Sequence, residues 1–215
     1  MTEMTVAGLS AVWTQYQLTT LTLIHLNLFG TAMIIILAIG LPLGIIAAMS
    51  SRGYLIVSVL NIIEMIPDIA LLLLLIPVTG IGAAPTITAA VLYSLLPVVR
   101  NTMTGLTSFR PELIEIGESL GMTRGEILRI IRFPLSLPLV AGGIRIAVVY
   151  SMGIVTLGGI IGARGLGAAL QAGITRNNMT LILVTGLWIG LLAVFMDSVA
   201  GLCERFLSKK YGDRP

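Results

Sequence analysis

Long apolar segments alternate with short polar ones along the chain, and five of the apolar segments are long enough to cross a bilayer. They run approximately over residues 18–48, 54–78, 83–107, 137–162 and 179–202. Each exceeds the roughly 20 residues that a helix needs to cross the hydrocarbon. Backbone polar groups in lipid must be paired within their own segment, so the segments are predicted to be helices. The pattern therefore predicts an all-α membrane protein with about five transmembrane helices.

The composition supports a lipid environment. The chain has 215 residues, of which 56% are hydrophobic and 11% are charged. Soluble domains carry about 25% charged residues, and a core of this length could not bury so much apolar surface. Residues 4–17, before the first span, are too polar to cross the membrane and suit an interfacial helix. Trp13 and Tyr16 would then lie at the level of the lipid headgroups.

The basic residues predict the orientation. Of thirteen Lys and Arg residues, only Arg164 and Arg176 fall on one side of a five-span arrangement. The other eleven are Arg52, Arg100, Arg110, Arg124, Arg129, Arg132, Arg145, Arg205, Lys209, Lys210 and Arg214. Basic loops favour the cytoplasm, so we expect the N-terminus outside and the C-terminus in the cytoplasm. The net charge of +3 follows from this topology and gives no reason to expect nucleic-acid binding.

A charged segment over residues 108–136 separates the third and fourth spans. Pro111 suits the first turn of a helix, and Gly121 can end that helix in a left-handed conformation. Thr123 and Glu126 have the spacing of a capping box for a second helix that runs to Arg132, after which Pro134 and Pro138 are expected to end it and start the next span. Two capped amphipathic helices favour a docking surface for a cytosolic partner, although an ordinary surface loop with solvated charges is the alternative.

This segment resembles the EAA motif of ATP-binding-cassette importer permeases, E-A-A-x3-G-x9-I-x-L-P. Glu115, Gly121, Ile131 and Pro134 fit its spacing, while Ile116 and Gly117 replace the two alanines and Phe133 replaces the leucine. In that family the loop is a coupling helix that inserts into a cleft of the ATPase subunit. The resemblance implies that the ATPase-coupling residues are Glu112, Glu115, Gly121, Met122, Thr123, Arg124, Ile131 and Pro134.

The resemblance continues outside the motif. Residues 66–106 and 158–174 are similar to the permeases of osmoprotectant importers, which carry glycine betaine, carnitine, choline or proline betaine. The similar methionine importer permeases make methionine or another small amino acid the alternative substrate. The resemblance implies a type I importer permease domain over residues 18–206, an extracytoplasmic or interfacial segment over 1–17 and a cytoplasmic tail over 207–215.

The same resemblance implies partners and a location. A permease of this type works as a homodimer or heterodimer in the bilayer of the bacterial inner or plasma membrane. It acts with two cytosolic ATPases and an extracellular substrate-binding protein. Because the chain contains no Walker A pattern, we expect ATP to bind to a separate subunit, and we expect no enzyme activity or cofactor in the permease itself.

Two acidic residues interrupt the second span. Glu64 and Asp68 are four residues apart and flank Pro67, so a continuous helix would place both on one face. At 1.5 Å per residue they would lie about 15 and 21 Å from the cytoplasmic end, near the midplane. Carboxylates at that depth are costly, and they either line the translocation path or form structural pairs with neighbouring helices. The sequence leaves both possibilities open.

The remaining polar residues within the spans favour structural roles. Arg100, Arg145 and Asp197 fall at similar depths near the cytoplasmic ends of three helices, where mutual pairing is expected. His25 is the single histidine, so a histidine-based metal site is not predicted. The glycines over 158–167 do not fit the G-x-G-x-x-G dinucleotide pattern and favour close helix packing followed by an outward-facing loop.

Two other functional classes compete with a permease. An intramembrane aspartyl hydrolase could use Glu64 and Asp68, but two carboxylates on one helical turn are poorly placed to flank a peptide. An ion-coupled secondary transporter would be supported by an inverted repeat, which the sequence does not display. It would also leave the charged segment without a role. A permease is therefore favoured over both classes, and the resemblance implies that its substrate is a compatible solute.

Overall fold

The structure is a computed structural model that describes residues 6–108 and 111–212, and within these ranges the chain forms helices and turns but no strand. The helices are α1 (Val6–Gln15), α2 (Leu18–Met49), α3 (Gly53–Glu64), α4 (Asp68–Thr79), α5 (Ala83–Thr107), α6 (Pro111–Ser119), α7 (Arg124–Glu126), α8 (Phe133–Gly158), α9 (Gly165–Thr175) and α10 (Met179–Tyr211). A π-helical turn, Ile127–Arg132, joins α7 to α8, and a 3₁₀ turn, Gly159–Ile161, follows α8.

Four continuous helical stretches are long and apolar enough to cross a membrane: α2, α5, α10 and the stretch Arg124–Ile161. Helices α3 and α4 meet the same test only as a pair, and they are bent by 96° at the break between them. The all-α fold with about five spans is therefore confirmed, with the second span broken.

The contacts between helices show how the broken pair fits the topology. On α2, Gly40 lies against Val98 of α5, and Gly44 lies one turn further along against Thr102. Contacts that advance in the same direction on both helices mean that α2 and α5 run parallel. The α3–α4 pair must therefore return the chain to the end of the molecule at which α2 began, and it serves as one span.

Helix α8 runs antiparallel to α5 through the centre of the bundle. Gly105 near the end of α5 approaches Ser136 at the start of α8, and Gly158 at the end of α8 approaches Thr86. Residues that are almost completely buried along these two helices and α2 form the core: Ile36, Leu96, Val98, Val99, Met152 and Val155. Helix α10 packs on α8 and α9, and its outer face exposes Leu187, Leu191 and Val194. A lipid environment accounts for this exposed apolar face.

The break in the second span corrects the prediction of a continuous helix over residues 54–78. Glu64 is the last residue of α3 and Asp68 the first of α4, so the two carboxylates do not lie on one face of a single helix. Pro67 lacks an N–H group and adopts an extended ψ of 138°. A proline also disfavours the helical conformation of the residue before it, here Ile66. Helix α3 therefore ends at Glu64, before it reaches that residue.

The segment before the first span forms an amphipathic helix, α1, that is attached to the outer helices through aromatic side chains. The rings of Trp13 and Trp188 pack edge to face with centroids 5.1 Å apart. Their indole N–H groups donate to Thr19 and Thr22 respectively, each over 2.9 Å. The helix predicted over 4–17 is observed as Val6–Gln15, and residues 4 and 5 lie outside the described range.

The glycine-rich segment after α8 packs backbone against backbone. A Cβ on Gly167 would lie within 1.9 Å of the Thr156 carbonyl oxygen, and one on Gly159 within 2.1 Å of the Gly167 carbonyl carbon. The close packing predicted for these glycines is therefore confirmed. The loop expected after them was wrong in part, because Gly165–Thr175 forms the additional helix α9.

Candidate functional site

A cavity of about 810 Å³ lies where the break between α3 and α4 faces α5 and α8. Its lining residues are Asn61, Glu64, Met65, Asp68, Tyr93, Val149, Tyr150, Gly153 and Ile154. The cavity therefore brings together residues from four helices that are distant in the sequence, and it holds both acidic residues of the second span.

The broken helix gives the cavity its negative charge. Glu64 ends α3 and Asp68 begins α4, so the bend places both residues at the vertex between the two helices, where they line one space. Asp68 lies in the first turn of α4, where unpaired backbone N–H groups favour a negative charge. Pro67 supplies the bend and is exposed.

Two tyrosines from the facing helices complete the cavity. Tyr93 of α5 is only 5% exposed, and its hydroxyl lies close to the Asp68 carboxylate. Tyr150 of α8 also lines the cavity and is exposed. The faces of tyrosine rings attract cations. The shared lining of one cavity by these two tyrosines was not predicted, because no local sequence pattern shows that positions 57 residues apart face one space.

Arg100, which was expected to pair with Arg145 and Asp197, lies elsewhere. Its Nη2 donates to Oδ1 of Asn61 over 2.6 Å, and Asn61 lines the acidic cavity. The prediction that Arg100 pairs with Arg145 and Asp197 was therefore wrong. A positive charge instead lies beside the cavity, attached to one of its walls.

Arg145 and Asp197 do meet, and they are joined by a third charged residue. Arg145 donates from Nε to Oδ1 of Asp197 and from Nη1 to Oε2 of Glu204, over 2.7 and 3.1 Å. A cavity of about 470 Å³ adjoins these three residues and shares Val149 and Tyr150 with the acidic cavity. Glu204 was missed because it follows the end of the predicted fifth span, whereas α10 continues two turns beyond that point.

The charged segment between α5 and α8 folds as a helical elbow, by which we mean residues 111–132. Helix α6 ends at Ser119, and Gly121 follows it with φ 77°, in the left-handed region expected for that glycine. The N–H of Gly121 donates to the Glu118 carbonyl and the N–H of Met122 donates to the Gly117 carbonyl, which is the Schellman pattern. This end fixes the direction in which the chain leaves α6.

The second half of the elbow begins with the capping box that the sequence predicted. The Glu126 N–H donates to Oγ1 of Thr123 over 3.3 Å, and the Thr123 N–H donates to Oε2 of Glu126 over 2.8 Å. The Thr123 hydroxyl also donates to that carboxylate. The Glu126 carboxylate thus accepts two hydrogen bonds from Thr123, and the two residues fix the start of the second half of the elbow.

Pro134 does not end the second helix, contrary to the prediction. Helix α7 continues through the π-helical turn Ile127–Arg132 into α8, and Pro134 lies in the first turn of α8. The Phe133 N–H bonds to the Leu128 carbonyl, five residues back. A wider turn immediately before a proline relieves the clash of its ring with the preceding turn, which allows one helical rod to continue.

The elbow is held together by a glycine and carries apolar side chains on its surface. A Cβ on Gly117 would lie 3.1 to 3.3 Å from Ile131 and Ile127, so α6 packs closely on the π-helical turn at that point. Apolar residues that remain exposed on the elbow are Ile116, Leu120 and Ile130. Among the residues expected to contact the ATPase, the exposed ones are Glu112, Glu115, Gly121, Thr123 and Arg124, and the half-buried ones are Met122, Ile131 and Pro134.

The described residues contain no group of three or more His, Cys, Asp or Glu side chains placed to hold a metal ion. His25 is fully buried in α2, and Gly165 at the start of α9 packs against it. Cys203 is exposed on α10. Neither residue lines the acidic cavity.

Curated relatives cover most of the chain. It is 40% identical over 181 residues to the glycine betaine/carnitine/choline transport system permease protein OpuCD of Bacillus subtilis, an alignment that covers 81% of this chain and 79% of the relative. It is 41% identical to the osmoprotectant import permease protein OsmW of Salmonella typhimurium, covering 84% and 86%. It is 34% identical to the choline transport system permease protein OpuBB of Bacillus subtilis, covering 86% and 85%.

Solved structures share the fold at lower identity. An inward-facing form of the MetNI methionine ABC transporter matches with a TM-score of 0.78 at 22% identity, covering 90% of this chain and 97% of that one. An amino acid ABC transporter with histidines matches with a TM-score of 0.72 at 20% identity, covering 94% and 99%. At these identities the likeness shows a common fold.

The model of one protein family spans most of the chain. Residues 40–209 match the family described as the binding-protein-dependent transport system inner membrane component. The match includes the acidic cavity, the elbow and the last three spans. The chain therefore belongs to this family, whose members are the multi-pass membrane permease subunits of ATP-binding-cassette importers.

Proposed function

We propose that the acidic cavity is part of the translocation path for a quaternary ammonium compatible solute of the glycine betaine, carnitine and choline class. The observation that carries this proposal is the composition of the cavity. Glu64 and Asp68 line it together with Tyr93 and Tyr150. Two carboxylates and two aromatic rings around one space are the groups that attract a cation without requiring metal or hydrogen-bond chemistry.

The chemistry of the substrate fits this arrangement. A quaternary nitrogen keeps its charge at every pH and has no N–H to donate, so it cannot be neutralised or held by hydrogen bonds. Ring faces and nearby carboxylates stabilise such an ion in a low-dielectric space. The cavity is open on the side of Met65, which is 81% exposed. Binding there would be weak, as a path that must also release its substrate requires.

The names of the relatives support the same substrate class. The three curated relatives described above are named for glycine betaine, carnitine and choline transport or for osmoprotectant import. The methionine transporter shares the fold at 22% identity, which carries no information about the substrate of this chain. The compatible solute is therefore favoured over methionine or another small amino acid.

The elbow is proposed to receive a separate cytosolic ATPase. It exposes Ile116 and Leu120 together with the acidic Glu112 and Glu115, and its two halves are fixed by the Schellman end and the capping box. The helix that leaves the elbow continues without interruption to Ile161. A displacement of the elbow would therefore move Val149, Tyr150 and Gly153, which line the cavity, as parts of one rod.

The proposed complex contains three further types of subunit: the ATPase, an extracellular substrate-binding protein and a second permease. The second permease is either another copy of this chain or a different chain. The acidic cavity opens beside exposed apolar residues, Met65 and Val149, which a second permease would cover. The proposed orientation places the N-terminus outside and the elbow and C-terminus in the cytoplasm, at the inner or plasma membrane of a bacterium.

Transport by the assembled complex tests the proposal. The permease would be reconstituted in proteoliposomes with its ATPase and binding protein, and uptake of labelled glycine betaine, carnitine, choline and methionine would be compared with and without ATP. We expect ATP-dependent uptake of at least one quaternary ammonium solute and none of methionine. Uptake of methionine alone would overturn the substrate assignment.

A further inference from the structure

Arg100 lies in an unusual position for a charged residue in this bundle. It follows seven consecutive buried residues of α5, 93–99, and is the first exposed position after them. Its Nη2 donates to Oδ1 of Asn61 over 2.6 Å. Asn61 lines the acidic cavity, so the guanidinium group of Arg100 is attached to the cavity wall. The proposed attraction of a cation by the cavity does not account for this arginine.

The positions along the helices order the charges around the cavity. Asn61 precedes Glu64 by three residues on α3, an axial distance of about 4.5 Å. On α5, Arg100 follows Tyr93 by seven residues, an axial distance of about 10.5 Å. The Tyr93 hydroxyl lies close to the Asp68 carboxylate, whereas Arg100 lies about two turns further along α5 and contacts Asn61. The carboxylate of Asp68 and the guanidinium group therefore contact different residues of the cavity lining.

A cavity that is lined by two carboxylates and has a guanidinium group attached to its wall fits a zwitterion better than a simple cation. We propose that Arg100 is a specificity-determining residue: its guanidinium group meets the carboxylate of a zwitterionic solute while Glu64 and Asp68 face the quaternary nitrogen. This inference rests on the proposed function and deepens it, because it predicts which members of the solute class the path favours.

The geometry of arginine supports this role. A guanidinium group has five N–H donors in a rigid plane, and the hydrogen bond to Asn61 uses one of them. The same plane binds a carboxylate through two parallel hydrogen bonds, which a lysine ammonium does not reproduce. Asn61 would orient the plane, and the exposed position of Arg100 leaves it accessible to a solute.

A purely structural role for Arg100 would be to fasten α5 to α3 through Asn61. Three variants separate that role from carboxylate recognition. Arg100→Gln removes the charge. Arg100→Lys keeps the charge but removes the planar fork. Asn61→Ala removes the hydrogen bond that fastens α5 to α3 and leaves the guanidinium group in place, without adding a charge to the cavity.

The measurement is the ratio of glycine betaine uptake to choline uptake by the reconstituted complex, because choline has no carboxylate. We expect Arg100→Gln to lower this ratio about tenfold, the size expected of a charge-assisted hydrogen bond. Asn61→Ala and Arg100→Lys should each lower the ratio, but less than Arg100→Gln does. If Arg100→Gln does not insert into the membrane, Arg100→Lys provides the test, because a lower ratio with the positive charge retained reports the loss of the planar fork.

The failure of this inference is distinguishable from the failure of the proposed function. If the unmodified complex takes up both solutes and each variant lowers both uptakes equally, Arg100 is a structural residue and the inference is overturned alone. If the unmodified complex takes up neither solute, the proposed function itself is wrong and the inference falls with it.

Discussion

Arg145 and Asp197 face each other across α8 and α10 in a two-point ion pair. Arg145 Nε lies 2.7 Å from Asp197 Oδ1, and Nη2 lies 2.8 Å from Oδ2. Two glycines leave room for the charged groups: a Cβ on Gly201 would lie 3.3 Å from the guanidinium carbon, and one on Gly142 would lie 3.4 Å from the Glu204 carboxylate. The pair therefore fixes the register of two mostly apolar helices.

Removal of Arg145 should weaken the contact between α8 and α10. Arg145→Gln leaves Asp197 and Glu204 close to one cavity without their shared cation. Because two like charges then remain at the helix interface, we expect a lower midpoint of thermal unfolding in detergent than for Glu204→Gln, which removes one hydrogen bond only. Equal midpoints for both variants would show that the two-point pair adds nothing beyond the single bond.

The positions of the spans could be predicted from the sequence because lipid leaves few alternatives. An apolar segment must pair its own backbone groups, so length and hydropathy determine where a helix lies. The third span, predicted over 83–107, is observed as Ala83–Thr107. The end of the last span could not be predicted in the same way, because α10 continues past residue 202 to Tyr211 as an ordinary polar helix.

The candidate site could be predicted only in part, for a different physical reason. Glu64 and Asp68 are conspicuous because a carboxylate in an apolar segment is costly. Their partners in the cavity, Tyr93 and Tyr150, are amphipathic residues that suit many positions in a span, so no local pattern distinguishes them. The 96° bend was not predicted either, because a proline permits a kink without determining its angle.

Rigidity of the elbow should be necessary for coupling transport to ATP hydrolysis. Gly121 has φ 77°, which proline cannot adopt because its ring holds φ near −65°. We expect Gly121→Pro to insert normally but to lose almost all substrate-stimulated ATPase activity and uptake. Glu115→Arg should do the same by reversing an exposed charge on α6. Both activities are measured on the reconstituted complex.

Gly125→Ala is the matched control for the elbow. A Cβ at Gly125 would have no heavy atom within 4 Å, and this glycine is not among those with positive φ. The control should therefore retain stimulated ATPase activity and uptake. Unchanged activity in Gly121→Pro and Glu115→Arg would remove the elbow from the coupling mechanism.

The contact between α9 and the end of α8 should not tolerate a methyl group. In Gly167→Ala the new Cβ would overlap the Thr156 carbonyl oxygen, so the two backbones must move apart. We expect a loss of about 1–3 kcal/mol in the free energy of unfolding, as is typical of overpacked interiors. Gly186→Ala on α10, which places its Cβ in open space, should change the stability little. Denaturation of both variants in detergent compares them, and equal stabilities would contradict the backbone contact.

The orientation of the chain can be tested by cysteine labelling. With Cys203 replaced by serine, Thr175→Cys and Ser119→Cys introduce single thiols at exposed positions on α9 and the elbow. Because eleven of thirteen basic residues lie on the elbow's side, we expect an impermeant maleimide to label Thr175→Cys in intact cells and Ser119→Cys only after lysis. The reverse labelling would overturn the proposed topology.

Loss of the cavity carboxylates should affect a pure cation more than a zwitterion. Glu64→Gln and Asp68→Asn remove the negative charges while nearly preserving shape, and both residues line the same space. At an effective dielectric constant of about 20, a carboxylate a few ångströms from a quaternary nitrogen contributes enough to change uptake by about tenfold after partial screening. We therefore expect choline uptake to fall about tenfold, and glycine betaine uptake to fall less, because the carboxylate of glycine betaine offsets part of the missing attraction. Ser198→Ala on α10, which is not among the residues that line the cavity, serves as the control and should leave both uptakes unchanged. Equal reductions for choline and glycine betaine would mean that Glu64 and Asp68 support the bend between α3 and α4 without contacting the solute.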